Sequence, residues 1–295
     1  MAEMRKKPMT RRLIQLYSAL LYNAHLKGFA EGRIYTGPLK SLCVPGLNCY
    51  SCPGAVAACP LGALQNAVAA SADRPAFYVV GTLLLFSLLL GRVVCGFLCP
   101  FGLLQELLHK LPTKKLQKSP LTRMLSRLKY ALLLIFVLGI PAWFAFRRLP
   151  LPGFCKFICP AGTLEGAVLL LLHPANGALR AMTGGLFWWK CGLMLLILTG
   201  SVFVFRCFCR FLCPLGALYG LMARLALLGV KLDESRCIDC GACLRRCPMD
   251  IRRVGDSECV HCGGCMEVCP VQAISFRAGR IVLRGPETPE KEARP

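Results

Sequence analysis

The sequence predicts a mainly α-helical, membrane-embedded chain with a small α+β module near its C-terminal end. Three observations lead there. Of the 295 residues, 55% are hydrophobic and only 17% charged, with a mean hydropathy of +0.54, whereas soluble domains average about 25% charged residues. Three apolar runs, 76–94, 130–146 and 186–205, reach or approach the roughly 20 helical residues that cross a hydrocarbon core. Eight of the 20 cysteines crowd into residues 237–269 in two matching sets. The apolar content excludes a disordered chain. A secreted disulfide scaffold would be short and polar, and this chain is neither.

The spans come first. A fourth, weaker run, 13–30, contains Asn23, His25 and Lys27, and on its own it fits a helix lying on the membrane surface as well as one crossing it. Counting it as a span gives a four-span membrane helix bundle, because each span then precedes one copy of the repeat described below. Charge orients the bundle. Arg5, Lys6, Lys7, Arg11 and Arg12 precede the first span, and residues 110–129 carry Lys110, Lys114, Lys115, Lys118, Arg123, Arg127 and Lys129 without an acid. Both segments are expected in the cytoplasm. Residues 31–75, with only Arg33, Lys40 and Arg74, go outside, and so do residues 147–185, where Arg147, Arg148, Lys156 and Arg180 make the choice less sharp. Both termini are then cytoplasmic, and no cleavable signal peptide is evident in the basic start. The 36 basic against 15 acidic residues, a formal charge of +21, read as a topology label. No basic face with a reading motif points to nucleic acid, so the bilayer is the expected partner of this charge.

The C-terminal module carries the sharpest chemical signal. Cys237, Cys240, Cys243 and Cys247 precede Pro248, and Cys259, Cys262, Cys265 and Cys269 precede Pro270. This is C-x2-C-x2-C-x3-C-P twice, the spacing of bacterial two-cluster ferredoxins. Three cysteines in a tight loop reach three corners of a cubane, and the fourth is carried to the other cluster. Cys237, Cys240, Cys243 and Cys269 are therefore expected to hold one [4Fe–4S] cluster, and Cys259, Cys262, Cys265 and Cys247 a second. Zinc is the alternative, and two full copies ending in Cys-Pro speak against it. Residues 231–284 form this module, 1–230 the membrane domain, and the Pro- and Glu-rich tail 285–295 is expected to be disordered.

The membrane domain hides a repeat, C-P-x-G-x-L, beginning at Cys59, Cys99, Cys159 and Cys213. Cys95, Cys155 and Cys209 stand four residues before the last three copies, while Ala55 takes that place in the first, with Cys43, Cys49 and Cys52 upstream. Proline suits the first position of a helix. Each cysteine therefore sits at a helix N-terminus, where the dipole favours a thiolate and an anionic cluster. The apolar stretches after the first three copies are too short to span and read as re-entrant half-helices, covered by protein. Successive copies alternate sides in an inverted-repeat arrangement.

Topology sorts the remaining cysteines. Cys95, Cys99, Cys209 and Cys213 fall on the inner side, four thiolates for one further [4Fe–4S] cluster. Arg92 and Arg206 each stand three residues before a pair. They are candidate cofactor-binding cations that would stabilise the reduced cluster; snorkelling at a helix end is the alternative. On the outer side, Cys155 and Cys159 could take Cys59 with Cys52 or Cys49, or the four N-terminal cysteines, Cys43, Cys49, Cys52 and Cys59, could hold a cluster alone. Disulfides are the alternative on an oxidising face. Cys191 and Cys207 fit no unit and read as packing residues.

At the stretches Gly91–Gly102 and Cys209–Gly216, and in the terminal pair of cysteine motifs, the chain resembles the NapH/NosR-type membrane polyferredoxins. The resemblance covers residues 76–275. It implies an integral protein of a prokaryotic plasma membrane that passes electrons between the quinone pool or a flavoprotein and a reductase system, with a ferredoxin, flavoprotein or reductase subunit as partner. The third unit at Cys155 and Cys159 and the cysteine-rich segment 45–60 depart from the better-known members. No flavin-binding domain of the NosR kind occurs in these residues, so nitrate or nitrous oxide reduction is not carried over.

Three functions compete. The first is an electron conduit between a cytoplasmic carrier and a donor or acceptor at or across the membrane. The second is a quinol dehydrogenase, with Glu106, His109, Glu165 and His173 as interfacial proton acceptors and quinone as a cofactor. The third, a redox sensor or assembly factor, lacks an output domain in the sequence.

Overall fold

The computed structural model describes residues 8–70, 77–116 and 118–285; Arg5, Lys6, Lys7, Arg74 and the tail beyond Gly285 lie outside them. The chain is mainly helical, with one three-stranded antiparallel sheet.

The run 13–30 forms two helices, α1 (Pro8–Tyr22) and α2 (Leu26–Glu31). Polar tertiary partners break it. The Asn23 amide donates to Asn48 Oδ1 at 2.9 Å, His25 N–H to the Gly54 carbonyl, and Val56 N–H to the Tyr22 carbonyl. The half-helix α3 (Pro60–Ala69) follows the first Cys-Pro. In α4 (Phe77–Leu89) only 13 residues of the run 76–94 stay α-helical. The chain turns at Gly91 (φ +49), where a Cβ would lie 2.7 Å from that of Ala226.

After α5 (Pro100–Leu108) comes α6 (Pro120–Ala145), 26 residues long. Its middle, Leu133–Gly139, widens to a π-helix just before Pro141, a residue with no N–H to offer the carbonyl four positions back. The half-helix α7 (Gly162–Leu172) precedes α8 (Gly185–Phe203) and α9 (Pro214–Leu221). Among the described residues, two helices, α6 and α8, are long and apolar enough to cross a membrane, and α4 and α7 are apolar but shorter. The expected four uninterrupted spans are thus two by this measure.

The module is built on β1 (Leu228–Leu232), β2 (Ile274–Ala278) and β3 (Ile281–Arg284), with the short helix α10 (Ala242–Arg246). β1 pairs β2 antiparallel, Val230 opposite Phe276, so its sheet begins ahead of the expected boundary at residue 231. Val230, Val254 and Ile274 form its small core. A larger core crosses from the helical part into the module, from Leu61 and Phe154 through Phe101, Phe208 and Tyr219 to Met249 and Val260. Phe101 meets Phe208 edge-on at 5.2 Å, a geometry aromatic rings favour.

Candidate metal centres

The four Cys-Pro units fold alike. Cys59, Cys99 and Cys213 are the N-caps of α3, α5 and α9, each helix starting at the following proline, and Cys159 stands directly before the helical residues Pro160 and Ala161 that lead into α7. The glycine of each unit lends its N–H to the cysteine sulfur, at 3.3 Å for Gly162 to Cys159 and 3.4 Å for Gly216 to Cys213. The same bond links Gly62 to Cys59 and Gly102 to Cys99. An orphan amide of the first helical turn thereby faces the sulfur, and this partner favours a thiolate over a thiol.

Two pairs of units face each other. Cys95, Cys99, Cys209 and Cys213 line one small cavity of about 10 Å³, closed by Val94, Leu215 and Tyr219. Cys49, Cys59, Cys155 and Cys159 line another of about 350 Å³. The first and third copies therefore meet, as do the second and fourth. In the module, Cys247, Cys259, Cys262 and Cys265 line a cavity of about 280 Å³, and Cys243 and Cys269 pack against the core of Val230, Val254 and Ile274. Among the described residues no three His, Cys, Asp or Glu side chains converge closely enough for a single metal ion. A cubane spreads four thiolates over four irons, and the donor set of each four-cysteine cavity fits that group.

The residue after each C-P-x-G-x-L clamps the opposite unit, a feature the sequence reading missed. Gln65 and Gln105 are fully buried. Gln65 donates to Cys155 Sγ at 3.1 Å and accepts from Phe154 N–H at 2.8 Å. Gln105 repeats this with Cys209 Sγ at 3.1 Å and Phe208 N–H at 2.9 Å. In the other two copies the same position holds Glu165, which accepts from Cys49 N–H at 2.7 Å, and Tyr219, which donates to the Pro45 carbonyl at 2.7 Å. That position holds Gln twice, Glu once and Tyr once, so the repeat alone did not mark it.

Between those last two clamps runs the segment 45–49. Leu47 lines both four-cysteine cavities of the helical part, and its N–H bonds the Cys99 sulfur. A Cβ on Gly46 would lie 3.3 Å from the Cys99 Cα. Cys49 already belongs to the other cavity, so at most three residues of chain, about 10 Å, bridge the two. On the opposite side, Gly96 packs against the Val260 carbonyl so tightly that a methyl there would overlap it. That contact joins the π-helical turn Val94–Leu98 to the loop between Cys259 and Cys262.

Cations surround the central cavity of Cys95, Cys99, Cys209 and Cys213. Arg92 and Arg206 are fully buried, which removes the snorkelling alternative for both. Arg92 pairs with Glu258 at 3.3 Å and donates to the Ser257 carbonyl, and Lys129 joins Glu258 at 2.6 Å. Arg206 pairs with Glu106 at 2.6 Å and donates to the Cys95 carbonyl. Arg11 holds the same Glu106 at 2.6 Å. The guanidinium of Arg206 lies 3.4 Å from a Cβ position on Gly102, and that of Arg92 3.5 Å from one on Gly216. Each arginine thus approaches the helix start of the other unit.

In the module, burial pushes the Cys247 and Cys265 thiols up to about 12. Thiolates there need a positive centre beside them, which bound iron supplies. Burial also pushes His261 down to about 4, with Arg92 adding to the effect. Its Nδ1 accepts from Val230 N–H at 3.0 Å, so the neutral ring carries its proton on Nε2.

Other expected residues fall elsewhere. Cys43 sits in an isolated bridge to Ala58, and Cys52 is buried beside Lys40; neither lines the cavity that takes Cys49. Cys191 lies in α8, and Cys207 packs against Gly200. Among the described residues no two cysteines are bonded to each other. Glu106 is held by two arginines, and His173 bonds the Ala30 carbonyl at 3.0 Å.

Residues 75–119, 130–174 and 187–233 match the family described as "4Fe-4S binding domain", and 229–270 match "4Fe-4S dicluster domain". The first three segments hold the second, third and fourth Cys-Pro units. The uncharacterized protein MJ0749 of Methanocaldococcus jannaschii is 31% identical over 169 residues, covering 55% of this chain and 53% of its own. The methylamine utilization ferredoxin-type protein MauN of Paracoccus denitrificans is 32% identical over 183 residues, 58% of this chain and 54% of its own. The regulatory protein NosR of Pseudomonas aeruginosa is 31% identical over 184 residues, 59% of this chain and 22% of its own. The chain spans about half the length of the first two of these relatives. No solved structure matches it. With its duplicated cysteine spacing and these matches, the chain belongs to the NapH/NosR-type polyferredoxins, ferredoxin-type electron-transport proteins that bind 4Fe-4S clusters.

Proposed function

We propose that the chain holds four [4Fe–4S] clusters in a line through a prokaryotic plasma membrane. It relays electrons between a carrier at the cytoplasmic module and a donor or acceptor on the far side. The ligand sets are Cys237, Cys240, Cys243 and Cys269; Cys247, Cys259, Cys262 and Cys265; Cys95, Cys99, Cys209 and Cys213; and Cys49, Cys59, Cys155 and Cys159. Bound clusters supply one-electron transfer. The chain's own residues cap the thiolates, exclude water and set buried cations beside the central site.

The observation that carries this reading is the position of Leu47, on the walls of two four-cysteine cavities at once. Cavities on opposite membrane faces would stand about 30 Å apart, a slow step for an electron. Two cavities sharing one residue make it short.

A membrane setting is supported by the apolar faces left open on α1, α4, α6 and α8, among them Leu20, Leu85, Ile135 and Leu196. Such a belt marks contact with lipid or another protein. All three tryptophans, Trp143, Trp188 and Trp189, are exposed at the end of α6 and the start of α8, as in an interfacial aromatic girdle. Arg11 reaches Glu106 beside the central cavity, and Asn23 bonds Asn48 beside the far one. The single helix α1 therefore runs the length between them.

Anaerobic iron and sulfide analysis with EPR tests the reading. About sixteen irons per chain are expected, and about twelve in Cys49→Ser. Eight irons in the unaltered protein would leave only the module pair and defeat the proposal.

One observation favours quinol oxidation as a second reading. His109 lines the cavity of Cys247, Cys259, Cys262 and Cys265, and its Nδ1 has no hydrogen-bond partner. On this reading a short-chain quinol reduces the clusters of the purified protein, and His109→Gln slows that step without changing dithionite reduction. Absence of any reduction by quinol removes it.

A further inference from the structure

We propose that the basic cleft between Lys115, Lys118 and Arg123 on one side and helix α10 on the other is the docking face for a small acidic electron-carrier protein, an inference that rests on the electron-relay reading. The cleft measures about 790 Å³. Six exposed cations line it: Lys115, Lys118 and Arg123 from the helical part, and Arg245, Arg246 and Arg252 from the module. No carboxylate stands on its wall, and none of the six makes an ion pair among the described residues. A seventh cation, Arg210, is buried and neutralised by Asp250.

Six like charges around one opening repel each other, and salt weakens that repulsion. The fold nevertheless holds two of them in place. Lys118 is tied to the Leu244 carbonyl at 2.8 Å and Lys115 to the Val202 carbonyl at 2.8 Å. These bonds pin the segment that begins the cleft to both α8 and the module. An arrangement that costs repulsion when open is stabilised by a partner that brings negative charge.

The position of the cleft identifies that partner. Cys247, one of the proposed cluster ligands, lies on its wall with Pro248, and His109 and Phe205 separate it from the cavity of Cys247, Cys259, Cys262 and Cys265. A protein with carboxylates around its own redox centre would dock with that centre against the module cluster. An anionic lipid headgroup would answer the charge, but half of the cations belong to the module, on the wall that bears a cluster ligand. The charge is therefore assigned to electron exchange. Opposite charges of this kind raise association rates by about 10-fold to 1,000-fold, an effect that salt removes.

The test is anaerobic stopped-flow reduction of the full chain in neutral detergent, with a chemically reduced acidic two-cluster ferredoxin as probe. In the unaltered protein the second-order rate should fall at least about 10-fold between low and high salt. The Arg123→Glu, Arg245→Glu, Arg252→Glu triple variant should lose at least about 10-fold at low salt, and the corresponding Gln variant should fall between. Charge reversal at Arg280 and Arg284, outside the cleft, should leave the rate within about twofold. All variants should keep their iron and be reduced by an uncharged small dye at the normal rate. A cleft variant that keeps the ferredoxin rate overturns the proposal, as does equal loss from the Arg280 and Arg284 variant. Loss of binding to anionic vesicles with an unchanged ferredoxin rate also overturns it, by assigning the face to lipid. If the dye fails to reduce clusters in the unaltered protein, the electron-relay reading itself falls, and the docking proposal with it.

Discussion

Gln65 and Gln105 show what a single residue contributes. Each places an amide N–H on a cysteine sulfur and its carbonyl on the backbone N–H of the residue before that cysteine. A buried primary amide left unpaired is costly, so this fit locks one unit against its partner. Hydrogen bonds to ligand sulfur also stabilise the more negative, reduced state of a cluster. Gln105→Leu should therefore lower the potential of the central cluster by about 50 mV, the shift equivalent to a bond worth about 1 kcal/mol. Redox titration followed by EPR checks this, and an unchanged potential would reduce Gln105 to a packing residue. The cysteines were legible in the sequence because thiols at fixed spacing before proline have few other uses. The glutamines were not, because a lone Gln in an apolar helix declares nothing until its partner arrives from 90 or 104 residues away.

Among the elements, the half-helices followed directly from Cys-Pro, since proline sets the first helical turn whatever surrounds it. The long helices were less regular than their apolar runs suggested. Composition alone could not show that Asn23 and His25 would find partners in the segment 48–54, or that the chain would turn at Gly91 with Ala226 packed against it. The contact between elements gives two predictions. A methyl at Gly96 collides with backbone rather than with a movable side chain, so Gly96→Ala should cost about 1–3 kcal/mol. It should also make the module easier to cleave in limited proteolysis; unchanged cleavage would contradict the tight contact. Glu258→Gln leaves Arg92 and Lys129 buried without a counter-charge. Breaking a buried pair in this way costs about 3–5 kcal/mol, so the melting temperature should fall, and by more than in Glu31→Gln, whose partner Lys27 is exposed.

At the scale of the whole molecule, the far cavity meets the central one at Leu47, and the central loop meets the module at Gly96 and Val260. A relay in series has a simple signature. In Cys209→Ser, which removes one proposed central ligand, a bulky reductant confined to the module side should still reduce the proposed module clusters. The far cluster should stay oxidised on the same timescale, as freeze-quench EPR would show. Reduction of the far cluster at the normal rate would exclude a serial path.

The sequence by itself determined the chemistry: twice four cysteines in ferredoxin spacing, four Cys-Pro helix starts, and a belt too apolar for water. Those features are local, and local spacing dictates which atoms can meet. Only the tertiary structure decided the partnerships. It set Cys49 rather than Cys52 or Cys43 at the far cavity, buried Arg92 and Arg206 beside the central one, and threaded residues 45–49 between the two. These choices depend on contacts across 116 to 174 residues, where burial and hydrogen bonding select among arrangements that spacing leaves equal.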